Sequence, residues 1–356
     1  MKLFGLESTI LSNPQSLFRL LALCFPTISV HDWKISSLTG LSGGSFLLQC
    51  SLSGSEIKLI ARADGNAQTA LYVDRKKEAR ILQQLRAYSF TPKVIGRNAQ
   101  WLLLGWCEGQ HPDNNTFLLP SFQCELANIV TQLHRAPLLG YHLQLRDEIS
   151  HYGYLIDKKR FSPRWKKLHR HFTSDAFPKT LKLAPAHMDI HAKNIVRTST
   201  GQLMLLDWEY AANTDIAFSL ETYFQFNGLT DIQRDFFLTQ YCDIHGAYRD
   251  KQQLAKSCQS WAPWVKYMTL MWYEVQWNES QSSDFLLHSQ SLRQYFGLLG
   301  WWLKAIRKQY RIEIICLISE ACYGPYNARC SGLWIGQWRA RNISTPIRGR
   351  LNIIYP

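Results

Sequence analysis

The sequence predicts an α+β fold in two lobes, a small β-rich amino-terminal lobe and a mainly helical carboxy-terminal one. Three observations carry that expectation. Short apolar runs bracketed by turn residues crowd the first hundred positions. Apolar residues recur at helical spacing from about residue 121 onward. One stretch of loop and hairpin, 184–212, interrupts the helical pattern. The expected boundaries are 1–108 for the first lobe, 109–308 for the second and 309–356 for an atypical extension.

Residues 14–24 read as a helix with Pro14 in its first turn. Strand-like runs follow at about 34–39, 45–52 and 57–63, the last two bracketing the hairpin signal Ser53-Gly54-Ser55. Residues 74–88 form a helix that Asp74 caps, with Ile81, Leu82, Leu85 and Tyr88 as its apolar stripe. Residues 101–107 are a short buried strand entering a linker, where backbone groups near Gly105–Cys107 are placed to meet an adenine edge. Helices are expected at 121–135, 215–227, 231–246, 259–277 and 284–306. Beyond Ser319 no period persists; the segment 309–356 carries Arg but no Lys and reads as an appendage or the product of a reading-frame change.

With 356 residues the chain is long enough for a large core and two subdomains. Its net charge of +13 favours anionic ligands. The charge is dispersed, and its densest groups, Arg75-Lys76-Lys77 and Arg164 to Arg170, read as solvated helix faces, so nucleic acid is not the expected partner. Nine cysteines without CxxC spacing argue against a zinc site or a disulfide framework and for reduced thiols in a cytoplasmic setting. No run approaches a membrane span.

The chemistry concentrates in His187-Met188-Asp189-Ile190-His191-Ala192-Lys193-Asn194 and the hairpin after it. Two apolar runs flank Thr200-Gly201, and a turn centred there sets Asn194 opposite Asp207. Facing residues of an antiparallel pair lie about 5 Å apart, so an amide oxygen and a carboxylate share one hard cation. H-x-D-x-x-x-x-N suits a catalytic loop in which Asp189 accepts a hydroxyl proton while Asn194 and Asp207 hold Mg²⁺ for phosphoryl transfer. His187 is expected to order the loop, and His191 to have no direct role. Upstream, Gly40-Leu-Ser-Gly-Gly-Ser-Phe46 offers backbone N–H groups at Gly40, Gly43 and Gly44 and hydroxyls at Ser42 and Ser45 for phosphate. Arg62 on the following strand can fork onto phosphate and onto a carboxylate, with Glu78 its natural partner.

Taken together, these residues resemble the aminoglycoside phosphotransferase and choline kinase superfamily of protein-kinase-like enzymes. The wording around Leu183–Asn194, Leu206-Asp-Trp-Glu-Tyr-Ala211 and Asp215-Ile-Ala217 is similar to that of the bacterial thiamine kinases. The resemblance covers roughly residues 14–306 and departs from protein kinases at Arg62, which stands where V-A-I-K has Lys. It implies ATP in an interlobe cleft, Asp189 as catalytic base, Asn194 and Asp207 as Mg²⁺ ligands, and a structural role for Asp215. The acceptor it implies is a small-molecule alcohol, thiamine first, phosphorylated on its hydroxyethyl arm. A cationic thiazolium calls for aromatic faces and a carboxylate. The aromatic stretch 261–277 with Glu274, and Glu209 beside the metal position, are the candidates. Choline, ethanolamine or an aminoglycoside are the alternative acceptors. Within 259–308 the only acids are Glu274, Glu279 and Asp284, which disfavours a polycationic antibiotic. A pseudokinase binding module is the reading outside enzymes.

Overall fold

The computed structural model of the chain describes residues 14–38, 44–52, 54–65, 71–243 and 246–298. The chain divides into two compact units, 1–292 and 293–356. Only 293–298 of the second are described, so the expected extension 309–356 lies outside the described residues.

The amino-terminal region is an antiparallel five-stranded sheet of order β1-β2-β3-β5-β4. Its strands are β1 (Lys34–Ser37), β2 (Ser45–Leu52), β3 (Ser55–Ala63), β4 (Val94–Arg97) and β5 (Trp101–Gly105). In β2 the buried Phe46, Leu48 and Cys50 alternate with less buried neighbours, the period of a strand with one face on a core. Leu59 and Ala61 of β3 join that core with Trp33, Trp101 and Leu103. Helix α1 (Pro14–Cys24) closes it by burying Leu17, Leu20 and Leu21, each contributing about 1.5–3 kcal/mol. Arg62 stands on the opposite face of β3, where the register sets it across from Ser45 of β2 and Leu102 of β5.

Helix α2 (Arg75–Gln84) begins as the sequence predicts: the Asp74 carboxylate accepts from the N–H groups of Lys76 and Lys77 at 2.7 and 3.0 Å. It stops short of residue 88 because the Thr91 hydroxyl donates to the carbonyls of Leu85 and Tyr88 at 3.3 and 2.9 Å, supplying the partners that another turn would have provided. Strand β4 escapes the sequence reading, being four residues long, half-buried and bulged against β5.

The rest of the unit is mainly helical: α3 (Asn114–Phe117), α4 (Pro120–Arg135), α5 (Leu145–Leu155), α6 (Pro163–Ser174), α7 (Ile216–Phe226), α8 (Asp231–Asp243), α9 (Lys251–Ser280) and α10 (Ser283–His288). Two ribbons interrupt them, β6 (Leu183–Ala186) paired with β9 (Ala212–Asp215) and β7 (Ile195–Arg197) paired with β8 (Leu203–Leu205). The charged stretch 164–170 lies in α6, which Ser162 caps: Arg164, Lys166, Lys167 and Arg170 are exposed on its solvated face as expected, while Trp165 and Phe172 are buried on the other. Helix α9 starts eight residues before its expected onset of 259, since Asp250 caps it at Gln253 N and the helix continues through Pro263. Buried Trp261, Trp264 and Val265 hold it there along α7, itself buried almost all round. The expected helix from 284 breaks at Ser289 into α10 and α11 (Gln290–Tyr295). Among the described residues no helix is long and apolar enough to cross a membrane.

Candidate active site

The loop between β6 and β7 carries Asp189, and the chain holds it from several sides. His187, buried, donates through Nε2 to the Leu206 carbonyl at 2.8 Å, and its Nδ1 accepts the Asp189 N–H at 3.2 Å. Those partners define one neutral tautomer, and burial pushes the imidazole pKa down despite the Asp189 charge nearby. Asn227 Nδ2 donates to the Ile190 carbonyl at 2.8 Å. Asn194 Nδ2 donates to the backbone carbonyl and to Oδ2 of Asp189, at 3.0 and 2.8 Å. His191 Nε2 is 3.7 Å from Asp189 Oδ2, closer than its expected role as a plain loop residue. Asp215 caps α7 at Ala217 N (3.1 Å) and accepts from Leu181 N (3.1 Å) and the Trp261 indole (2.9 Å), tying three segments together.

The hairpin register differs by one from the sequence reading. Ile195 faces Leu205, and Leu206 N donates to the Asn194 carbonyl at 2.8 Å, so Asn194 is level with Leu206 and not with Asp207. The turn explains this. Thr198 N bonds Gln202 O and Gly201 N bonds Thr198 O, both at 2.9 Å, with Gly201 at φ +82°. That is a three-residue loop ending in a left-handed glycine, not the two-residue turn that would pair Asn194 with Asp207. Asp207 leaves the ladder in the left-handed region at φ +61°, and Met188 before Asp189 does so at φ +71°. Each costs on the order of 1–3 kcal/mol in a residue with a side chain, and such strain collects at functional sites.

Arg62 reaches Glu78 as expected, NH1 to Oε1 at 2.6 Å. Its NH2 also donates to Asp207 Oδ1 at 2.7 Å and Glu209 Oε2 at 2.6 Å. A second guanidinium completes the cluster: Arg75 NH1 donates to Glu78 Oε2 at 2.9 Å and Glu209 Oε2 at 2.8 Å. Arg75, expected on a solvated face, is 1% exposed. Its i,i+3 spacing to Glu78 was the available signal. Burial raises the Asp207 carboxyl pKa, but Arg62 outweighs burial and holds it below the ordinary range. Burial, reinforced by the Asp207 charge, pushes Glu209 up to about 7.

Glu209 and Glu274, the expected acids for a cationic acceptor, are both engaged within the protein. Glu209 is held by the two arginines, and Glu274 receives Arg160 Nε and NH2 at 2.9 and 3.2 Å. Tyr210 lies within electrostatic reach of Asp189, Glu209 and Tyr152. Burial, then the charge of Glu209, raises the Tyr210 hydroxyl pKa well above its usual value.

Of the glycine-rich segment, Gly40, Ser42 and Gly43 lie outside the described residues. Gly44, at φ +70°, accepts the Ala63 N–H at 2.7 Å, and Ser45 faces Arg62 across the β2–β3 ladder. In the linker, Trp106 N donates to the Lys58 carbonyl at 3.3 Å, while Cys107 N–H meets no acceptor among the described residues.

The donors suit a hard divalent cation. With Asn194 Nδ2 fixed on Asp189, its Oδ1 accepts no hydrogen bond from the described residues, and neither does Asp207 Oδ2. A carboxylate and an amide oxygen are the set that a cation finishing its shell with phosphate and water needs from protein. The buried donors Arg62 Nε and Arg75 NH2 also lack acceptors among the described residues.

Residues 38–290 match the model of the choline/ethanolamine kinase family. Among known proteins, the thiamine kinases of Salmonella dublin and Salmonella typhimurium are each 29% identical to this chain over 288 residues, 80% of it and 96% of theirs. Among solved structures, choline kinase LicA from Streptococcus pneumoniae superposes with a TM-score of 0.63 at 15% identity, covering 78% of this chain and 96% of that one. An ethanolamine kinase from Plasmodium vivax does so with a TM-score of 0.59 at 16% identity, covering 74% and 82%. At those identities the structural likeness speaks for the two-lobed fold.

Proposed function

The chain belongs to the choline/ethanolamine kinase family, a small-molecule kinase acting on an alcohol group, and we propose that it transfers the γ-phosphoryl group of Mg-ATP to the hydroxyethyl arm of thiamine. The observation that carries the chemistry is Asp189, 2.8 Å from Asn194 Nδ2 at the mouth of the hairpin that presents Asp207. Asp189 orients the acceptor hydroxyl and takes its proton late. Asn194 Oδ1 and Asp207 Oδ2 would hold a divalent metal, which would neutralise charge on the phosphates. Arg62 and the backbone of the Gly40–Ser45 segment bind phosphate. Positioning and preorganised charge supply most of the rate.

Thiamine is favoured by the extent of the match to the Salmonella thiamine kinases, which spans 96% of their length. Tyr210, half-buried and within electrostatic reach of Asp189, offers an aromatic face of the kind a thiazolium prefers. Choline or ethanolamine is the second reading, favoured by the family match. A coupled ADP-release assay with thiamine, choline, ethanolamine and kanamycin-type acceptors tests the choice. Thiamine is expected to stimulate turnover most, and stimulation by another acceptor with none by thiamine overturns the assignment.

A further inference from the structure

Phosphate binding by Arg62, on which the proposed reaction relies, meets an obstacle in the cluster itself. Arg62 is 5% exposed and already serves Glu78, Asp207 and Glu209. Two guanidinium groups, Arg62 and Arg75, face these three carboxylates. Arg62 holds Asp207 Oδ1, and a metal on Oδ2 would draw carboxylate charge away from that contact and weaken it. Arg62 can turn to phosphate only if its other acids keep a cation. A buried carboxylate stripped of its partner is strongly unfavourable.

Arg75 is built for that task. Its single NH1 reaches both Glu78 and Glu209, at 2.9 and 2.8 Å, and no ion pair joins it to Asp207 among the described residues. Its Nε donates to the Ala63 carbonyl at 3.2 Å, so the guanidinium is anchored on β3 one residue past Arg62. At 1% exposure it is shut away from any ligand in the cleft. Only a planar fork with five donors makes these three contacts together; an ammonium does not.

We propose that Arg75 is a second positioning cation of the nucleotide site, holding Glu78 and Glu209 so that Arg62 is free to leave Asp207 for phosphate. The proposal rests on the kinase reading above. Its test is Mg-ADP binding, measured by titration calorimetry on the full chain, together with KM for nucleotide and for acceptor.

Arg75→Met is expected to weaken Mg-ADP about tenfold or more, because Arg62 becomes the one cation among the described residues that is ion-paired with the three acids, and to leave the acceptor KM within about threefold. Removing one acid relieves the competition. Arg75→Met/Glu209→Gln is therefore expected to bind Mg-ADP within about threefold of Glu209→Gln alone, and Arg75→Lys to fall between wild type and Arg75→Met.

Unchanged Mg-ADP binding in Arg75→Met overturns the proposal, as does a double variant no better than Arg75→Met, or a parallel loss for nucleotide and acceptor. Should Arg75→Met fail to fold, Arg75→Lys with and without Glu209→Gln carries the same comparison, and no recovery overturns it. Wild-type chain that does not bind Mg-ADP would count against the kinase reading itself.

Discussion

Replacing Asp189 by Asn removes a charge and a proton acceptor while keeping the side chain's shape. In the structure Asp189 Oδ2 accepts from Asn194 Nδ2 at 2.8 Å, and the carboxylate is 22% exposed. An amide in its place still offers an oxygen to Asn194. The loop then exchanges a charge-assisted hydrogen bond for a neutral one, a loss of about 1 kcal/mol. For a chain of this size that lowers Tm by no more than about 4 °C. The lost base costs far more. General-base catalysis contributes about 10²–10⁴ in rate, or roughly 3–5 kcal/mol of barrier. Coupled ADP-release kinetics and titration with Mg-ADP separate the two effects. Turnover is expected to fall by at least about a hundredfold, with nucleotide affinity within about threefold of wild type. A fall in kcat of less than about tenfold, or an equal fall in nucleotide affinity, would refute the role given to Asp189.

Asp207→Asn keeps a neutral partner for Arg62 but loses the anionic metal ligand. The Mg²⁺ concentration for half-maximal nucleotide binding should rise about tenfold or more, and an unchanged Mg²⁺ dependence excludes Asp207 as a ligand. Glu274→Gln leaves the buried Arg160 guanidinium, 7% exposed, without its charged partner. A stability loss of about 2–4 kcal/mol is expected with little change in acceptor KM, whereas a raised KM at unchanged Tm would restore Glu274 as an acceptor contact. Glu148, which burial pushes up to about 7, keeps a proton in the native state that the unfolded chain releases near pH 4.5. Its contribution to stability is therefore full below pH 4.5 and is lost as pH rises through about 7, on the order of 2–3 kcal/mol. Wild type minus Glu148→Gln, followed as Tm from pH 4.5 to 8, should fall across that window, and a flat or rising difference contradicts the assignment.

Local chemistry carried the sequence reading far. Period-two burial in β2 and β3, the Asp74 cap and the H-x-D-x-x-x-x-N loop are all statements about neighbours in the chain, and each is visible in residue types. What escaped depends on partners distant in sequence. Nothing near Arg75 signals that Glu209, 134 positions away, will draw it inside. Glu274 looked available because Arg160, 114 positions away, cannot be seen from the aromatic stretch. The hairpin register failed for a narrower reason: Thr200-Gly201 fits a two-residue or a three-residue turn, and only the left-handed Gly201 with its Thr198 bonds decides between them. Helix α9 runs through Pro263 because buried tryptophans on either side of it outweigh one missing donor.

The linker between the sheet and the helices is nailed down at both ends. On one side Trp106 N is tied to Lys58 of β3, and on the other Gln110 exchanges both backbone hydrogen bonds with Arg197 of the catalytic hairpin, at 3.0 and 2.9 Å. Gly109 lies so close to that hairpin that a Cβ there would stand 2.3 Å from the Arg197 carbonyl. Between these anchors Cys107, Glu108 and Gly109 make no backbone hydrogen bond among the described residues, a tether spanning about 10–14 Å when stretched. If the sheet pivots over the helices, the axle is these three residues. The hairpin that carries Asp207 moves with the far anchor, as part of the frame on which that axle is mounted.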